Sequence, residues 1–391
     1  MDAVSNPYSP GAGRPPAALV GRDAQLQAWD VALRRIEDGR DAQSIVLYGL
    51  RGVGKTVLLS RMAHMVRDRE WLVARVEARS GRSVRALVGE AFHDSLVDLA
   101  RPGVTRRILK ALKTALSFKA SYDSTGTWRF GLDLDTAPGG GADTGALEAD
   151  LGKLLRDLAG AAAERKVGVA VLIDEAQDLP MDELVALCAI IHSCNQAGDR
   201  LVLALAGLPS LPRRLAEAKS YAERLFDFHE VGALDPTAAR EALVDPARVE
   251  GVEWDEDAIR LILTEAQGYP YFLQQYGQDV WNAAIASPLT VTDARVGIAR
   301  GQMSLDSGFF RVRWDRATPA ERAYLRAMAV DGDRASLTGD VAARLGRKVT
   351  SLGPARASLI GKGLIYSPDH GMVAYTVPVM ASFVQRQPDE P

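Results

Sequence analysis

Cysteine is scarce in this sequence. Only Cys188 and Cys194 occur in 391 residues, in one apolar segment and without a second pair. That excludes a disulfide framework and a thiolate metal site, and suits a reducing compartment. No run of about 18 apolar residues exists, so no membrane span is expected. The first twenty residues lack a basic start followed by an apolar core, so no secretory leader is expected either; the reading is a cytoplasmic protein. Charge of one sign is also missing: the net charge is -3 and the isoelectric point about 6.0, so any contact with nucleic acid must come from a local basic patch. The five histidines are scattered. No zinc spacing, nucleophile triad or dinucleotide fingerprint is present.

What remains is the balance of a globular protein, 47% hydrophobic and 25% charged, at a length that suits two or three domains. Residues 1–18 hold Asn6-Pro7, Ser9-Pro10 and Arg14-Pro15-Pro16 and read as a flexible tail. From 19 to 235 the pattern alternates. Leu26, Trp29, Leu33 and Ile36 share a helical face, and Ser44–Tyr48 is a short continuous apolar run. A Gly-rich turn, a helix from Lys55 to about Arg69 and a second strand over Trp71–Val76 follow. Further buried strands are expected at Val167–Ile173, Leu201–Ala206 and, more weakly, Phe228–Val231, with a helix over Met181–Ala197. Strand, helix, strand repeats imply a parallel sheet with helices on both faces. A long insertion, about 84–146, interrupts it. Within the insertion Thr105–Leu116 has the spacing of a basic amphipathic helix and Trp128–Leu134 alternates like a strand, before a break at Pro138–Gly141. Residues 236–312 read as wholly helical. Residues 313–391 read as helix, short helix (Ser336–Leu345), turn, helix (Ser351–Gly361) and hairpin, the order of a winged helix.

The turn after the first strand is Gly49-Leu-Arg-Gly-Val-Gly-Lys-Thr56, which fits G-x-x-x-x-G-K-[ST] between a buried strand and a helix. Glycines admit positive φ and let N–H groups point inward at phosphate oxygens, beside the positive end of a helix. Gly49, Gly52, Val53, Gly54, Lys55, Thr56 and Val57 are therefore the expected ATP-binding residues. Lys55 reaches the β and γ phosphates, and the Thr56 hydroxyl serves Mg2+. At the end of the third strand stand Asp174 and Glu175. Carboxylates there face the ligand crevice of a parallel sheet. Asp174 is the expected second protein ligand of Mg2+, and Glu175 the general base for an attacking water. The reaction implied is ATP hydrolysis, with ADP as product.

With Val20-Gly21-Arg22-Asp23 before the first helix and Gly268-Tyr269-Pro270 opening a later one, the chain resembles the AAA+ ATPases of the origin-initiator-like group and the related STAND-type signalling ATPases. The resemblance runs from about Leu19 to Arg386. It implies an adenine pocket lined by Val20, Gly21 and Arg22, and Pro270 touching the base from a helical lid. Two departures accompany it. The fourth strand ends in Leu203-Ala-Leu-Ala-Gly-Leu-Pro209 with no polar sensor, and Gly268–Tyr276 holds no second-sensor arginine. Both imply slow or partner-stimulated turnover. Arg224, ahead of the fifth strand, stands where such families place a trans-acting arginine, which implies self-association.

The winged helix carries a basic cluster of Arg344, Arg347, Lys348, Thr350, Ser351 and Arg356 around its turn and third helix. In a DNA-binding module that helix enters the major groove. Duplex DNA is thus one expected partner; the alternative is a switch acting on a protein partner.

Overall fold

The computed structural model describes residues 1–11, 13–78, 82–99 and 147–388. The amphipathic helix expected at 105–116, the alternation at 128–134 and the glycine break at 138–141 lie outside the described residues.

Five strands form one parallel sheet: β1 (Ser44–Tyr48), β2 (Leu72–Glu77), β3 (Val169–Asp174), β4 (Leu201–Gly207) and β5 (Phe226–Glu230), in the order β2-β3-β4-β1-β5. The central strands β3 and β4 are buried at every position, because helices cover both faces. Side chains alternate between two cores. Val169, Val171 and Ile173 face Leu151, Leu155 and Leu158 of helix Leu147–Glu164, and Leu187 and Ile191 of helix Met181–Ala197. Ala170 and Leu172 face Trp29, Leu33, Leu58, Leu59 and Met62 of helices Asp23–Glu37 and Lys55–Arg67. The edge strands need only partial cover, so β2 carries Arg75 and Glu77 and β5 carries Asp227 and His229. That alternation is why β5 is weak in the sequence, and it runs Phe226–Glu230 rather than Phe228–Val231. Register places Tyr48 beside both Gly207 and Glu230, and Glu77 beside Asp174. These ends share one edge of the sheet.

Beyond β5 come helices Pro236–Val249, Glu256–Ala266, Pro270–Ala283 and Val291–Ser304. Two of them start on side-chain caps: Asp235 accepts from the Thr237 and Ala238 amides, and Thr290 forms a capping box with Asp293. A π-helical turn, Leu305–Phe310, leads to the short helix Arg311–Asp315. The C-terminal unit then holds helix Pro319–Ala329, strand β6 (Ser336–Leu337), helices Thr338–Arg344 and Gly353–Gly361, strands β7 (Ile365–Tyr366) and β8 (Met372–Tyr375), and helix Met380–Gln385. β6, β8 and β7 pair antiparallel in that order. Ser336 and Leu337 therefore belong to a strand, not to the second helix. Phe272, Phe310, Trp314, Tyr324 and Phe383 share one apolar cluster, so the helical and C-terminal units have a continuous core.

The first residues are packed, in contrast to the expected flexible tail. The Tyr8 ring is 1% exposed. Its hydroxyl donates to Leu243 O and accepts from Trp254 Nε1 at 3.0 Å. Asn6 donates to Gln278 O, Gln278 donates back to Tyr8 O, and Trp281 donates to Asp2 O. A Cβ on Gly277 would lie 2.6 Å from the Tyr8 ring, so the slot requires glycine. Local composition shows none of this, because every partner is a helix far away in sequence.

Candidate nucleotide site

The turn Gly49–Gly54 joins β1 to helix Lys55–Arg67 at the carboxyl edge of the sheet. Gly49 donates its amide to Gly207 O at 3.1 Å, and a Cβ there would fall 2.0 Å from Val231 O. Gly52 and Gly54 have φ of 88° and 93°, a region that favours glycine. Lys55 opens the helix. It is 7% exposed, and its Nζ donates to Gly49 O and Leu50 O at 2.8 Å each. Burial pushes the ammonium down to about 8, although Glu175 and Asp174 act in the other direction.

Asp174 ends β3 and is buried. Burial raises its carboxyl, while hydrogen bonds from the Thr56 hydroxyl and the Glu175 amide oppose the rise. Thr56 and Asp174 thus meet in one place. That pairing of a hydroxyl with one carboxylate fits Mg2+, which takes few protein ligands and completes its shell with water and phosphate oxygens. Among the described residues no group of three or more His, Cys, Asp or Glu could hold a metal ion by itself.

Glu175 has φ 50° and ψ 36°, a left-handed conformation costly for a non-glycine residue. Its Oε2 accepts from Gln177 Nε2 at 2.6 Å and from the Arg51 guanidinium at 3.5 Å. Gln177 also accepts from the Leu208 amide at 2.9 Å, tying the end of β3 to the end of β4. A polar side chain therefore does stand at the end of β4, donated by the Asp174-Glu-Ala-Gln177 run.

A cavity of about 690 Å3 gathers these groups. Of the expected residues it brings together Val20, Arg22, Gly52, Val53, Gly54, Lys55, Thr56, Val57, Asp174, Glu175 and Pro270. Gly21 and Gly49 stand behind the wall; Gly21 packs on Ala238. Arg22 is engaged: its guanidinium donates to Gly232 O at 2.6 Å and Val53 O at 3.1 Å, fastening the start of the core to the phosphate loop. Pro270 is at the first turn of its helix, and the next amide, Tyr271, donates to Gly52 O at 3.3 Å. Arg224 is exposed at the amino end of β5, the far edge of the sheet, and does not line the cavity.

The basic cluster of the C-terminal unit is only partly free. Arg344 forms two 2.6 Å bonds to Asp331, and Arg356 donates to Ser367 Oγ at 2.9 Å. Arg347, Lys348, Thr350 and Ser351 are exposed.

Sequence reasoning missed Arg51, Gln177, Arg313 and the segment before the first helix; Arg51, Arg313 and, from that segment, Ser9, Pro10, Gly11, Gly13, Arg14, Pro16, Ala18 and Leu19 reach the cavity. Arg51 is a variable position of the phosphate-loop pattern, and Gln177 follows the acidic pair by two. Arg313 and the first residues carry no local signal.

Residues 18–203 match the model of the AAA ATPase domain family, and residues 307–384 match a domain of unknown function. An ORC1-type DNA replication protein of Haloarcula marismortui is 33% identical over 99 residues, which are 22% of this chain and 23% of that protein. The structure of a Walker-type ATPase of Pyrococcus abyssi covers 95% of this chain and 98% of its own, at 16% identity and TM-score 0.58, a likeness of fold. The Orc1 protein of Aeropyrum pernix in complex with DNA is similar over 95% of this chain and 93% of its own, at 17% identity and TM-score 0.46. Residues 18–203 match an AAA ATPase domain, a nucleotide-binding module, and the parallel sheet described above runs past that match through β5 at Phe226–Glu230.

Proposed function

We propose that this chain binds ATP with Mg2+ in the 690 Å3 cavity, hydrolyses it, and uses the nucleotide state to control its C-terminal unit, a winged helix that contacts duplex DNA. The observation that carries the reading is the convergence of Lys55, the Thr56–Asp174 pair and Glu175 on one cavity wall. Loop amides and Lys55 neutralise the phosphates, whose oxygens replace the carbonyls of Gly49 and Leu50 as partners of Nζ. Thr56 and Asp174 would hold Mg2+, which when bound would supply positive charge to offset that developing on the transferred phosphoryl group. Glu175 takes the proton of the attacking water. Arg51 and Gln177 both occupy its Oε2, which leaves Oε1 as the accepting atom and fixes the carboxylate plane. The contact with DNA is placed on Arg347, Lys348, Thr350 and Ser351, before helix Gly353–Gly361.

A second reading, a switch acting on a protein partner, draws on a different observation. Arg344 and Arg356 are spent within the C-terminal unit, which itself sits on the phosphate loop through the Arg51 amide and Thr376 O, 2.8 Å apart. Arg224 serves either reading only in trans, across a contact with a second copy. No helix among the described residues is long and apolar enough to cross a membrane. The two free cysteines are buried, which suits a reducing cytoplasm.

The test is ATP turnover with Mg2+, with and without duplex DNA, beside Lys55→Ala and Glu175→Gln. Turnover raised by DNA and lost in both variants supports the DNA-linked ATPase. Binding lost in Lys55→Ala with no response to DNA in turnover or gel shift, at low salt, moves the partner to protein.

A further inference from the structure

We infer that Arg313, with Arg51, forms a second cationic wall of the cavity that binds the terminal phosphate of a nucleoside triphosphate and so ties the C-terminal unit to the nucleotide state. The inference rests on the nucleotide site proposed above.

Arg313 lines the same cavity as Lys55, Thr56, Asp174 and Glu175, although it belongs to helix Arg311–Asp315, beyond the helical unit. Its placement is built. The π-helical turn Leu305–Phe310 directly precedes it, and such turns occur often at functional sites. The guanidinium lies 4.1 Å from the Phe309 ring centre and donates to Phe309 O. The same ring stacks on Tyr271 at 4.8 Å and 27°. Tyr271 is in turn bonded to Gly52 O of the phosphate loop. A continuous series of contacts therefore runs from loop to Tyr271 to Phe309 to Arg313.

The charge around Arg313 is unbalanced. Burial, followed by the like charge of Arg51 and, more weakly, Arg316, pushes its guanidinium down to about 10. Among the described residues no carboxylate forms an ion pair with it; Glu175, in the same cavity, is paired with Arg51. A half-buried cation with no ion-pair partner, beside the like charge of Arg51, is costly until an anion arrives. A triphosphate supplies one more phosphate than a diphosphate, and planar guanidinium groups match phosphate oxygens in pairs. The start of helix Pro270–Ala283, across Gly268–Tyr276, holds no arginine.

Arg51 connects the wall to the C-terminal unit. Its amide donates to Thr376 O, and a Cβ on Gly363, at φ 65°, would lie 2.9 Å from its guanidinium. When the terminal phosphate draws Arg51 and Arg313 together, the contacts of Arg51 with Glu175 and with the 363–376 segment move with it.

The experiment measures affinities of the full chain for ATPγS and for ADP, each with Mg2+, by calorimetry, in wild type, Arg313→Ala, Arg313→Lys and Lys55→Ala, with thermal unfolding of each nucleotide-free protein. The expected result is a loss of at least tenfold for ATPγS and less than twofold for ADP in Arg313→Ala, a smaller loss in Arg313→Lys, and loss of both nucleotides in Lys55→Ala. Equal losses for both nucleotides in Arg313→Ala, or no loss, overturn the assignment while leaving the site. Full binding by Lys55→Ala overturns the site itself. If Arg313→Ala unfolds early, Arg313→Lys decides: unchanged preference for ATPγS over ADP, at less than twofold from wild type, overturns the assignment.

Discussion

The Arg51 guanidinium stands 3.5 Å from the Glu175 carboxylate, and both side chains are about one-quarter exposed. The pair joins the phosphate loop to the end of β3 across the cavity. Because the Arg51 amide is bonded to Thr376 O, one residue touches the loop, the proposed base and the C-terminal unit. Exposure at this level makes the ion pair worth little as stability. Its importance is positional: it fixes which oxygen of Glu175 is free.

Replacing that base separates binding from chemistry. Glu175→Gln keeps the size of the side chain and the contact with Gln177, so nucleotide affinity should stay within about threefold of wild type. Single-turnover phosphate release should fall by about 10²–10⁴-fold, the range for loss of a general base. A variant that releases phosphate at the wild-type rate would exclude Glu175 from that role.

The buried ammonium of Lys55 makes binding pH-dependent. Its value of about 8 lies below the ordinary 10.5, so at pH 7 it is charged in folded and unfolded chains alike. Above pH 8 the folded chain loses this proton first. Phosphates favour the charged form, so affinity should fall as pH rises from 8, by up to about tenfold per unit. The same shift acts on stability with the opposite sign: between 8 and 10.5 the unfolded chain binds more protons, so this group's contribution to stability improves with rising pH. Nucleotide titrations from pH 7 to 9.5, against a flat residual profile in Lys55→Ala, check the first part.

The docked N-terminal segment should be both structural and gating. Tyr8→Ala empties a fully buried slot and should cost about 3–5 kcal/mol, read as a fall in denaturation midpoint. Gly277→Ala drives a methyl group into the same ring and should cost about 1–3 kcal/mol. Since Ser9, Pro10 and Gly11 wall the cavity, both variants should release nucleotide faster in stopped-flow chase experiments. Unchanged release with reduced stability would limit the segment to a structural role.

The basic cluster should divide in two. Arg347→Glu with Lys348→Glu leaves the fold intact and should reduce the salt dependence of duplex binding by about two phosphate contacts. Arg344→Ala should instead act on stability, because it abandons Asp331. Duplex affinity that ignores the double variant would move nucleic acid to another surface.

Acid should loosen the C-terminal unit. Burial alone would raise the Glu321 carboxyl, but hydrogen bonds from Lys362, Ser358 and the Thr318 amide outweigh it and hold it at about 2. A depressed folded value stabilises above the ordinary 4.5, and that contribution is lost as pH falls from 4.5 toward 2. Acid titration followed by near-UV circular dichroism should show a shallower loss over that window in Glu321→Gln.

The sequence by itself determined the glycine-rich turn before helix Lys55–Arg67, the acidic strand end and the parallel sheet, because each depends on neighbours within a few residues. A buried strand needs a continuous apolar run, and a phosphate turn needs glycines at fixed spacing before a helix. Lys55, Thr56, Asp174 and Glu175 could be read on those grounds. Tertiary structure alone decided the rest. Tyr8 finds its slot only because Gly277 lacks a Cβ on a distant helix, and no composition rule separates an anchored Pro-rich segment from a free one. Arg22 fits an adenine-pocket pattern, yet its guanidinium is taken by the carbonyls of Val53 and Gly232. Arg344 has the charge of a DNA contact, but Asp331 neutralises it. Arg313 reaches the phosphate cavity through a π-helical turn and an aromatic stack, contacts that exist only once the helical unit has folded back over the loop.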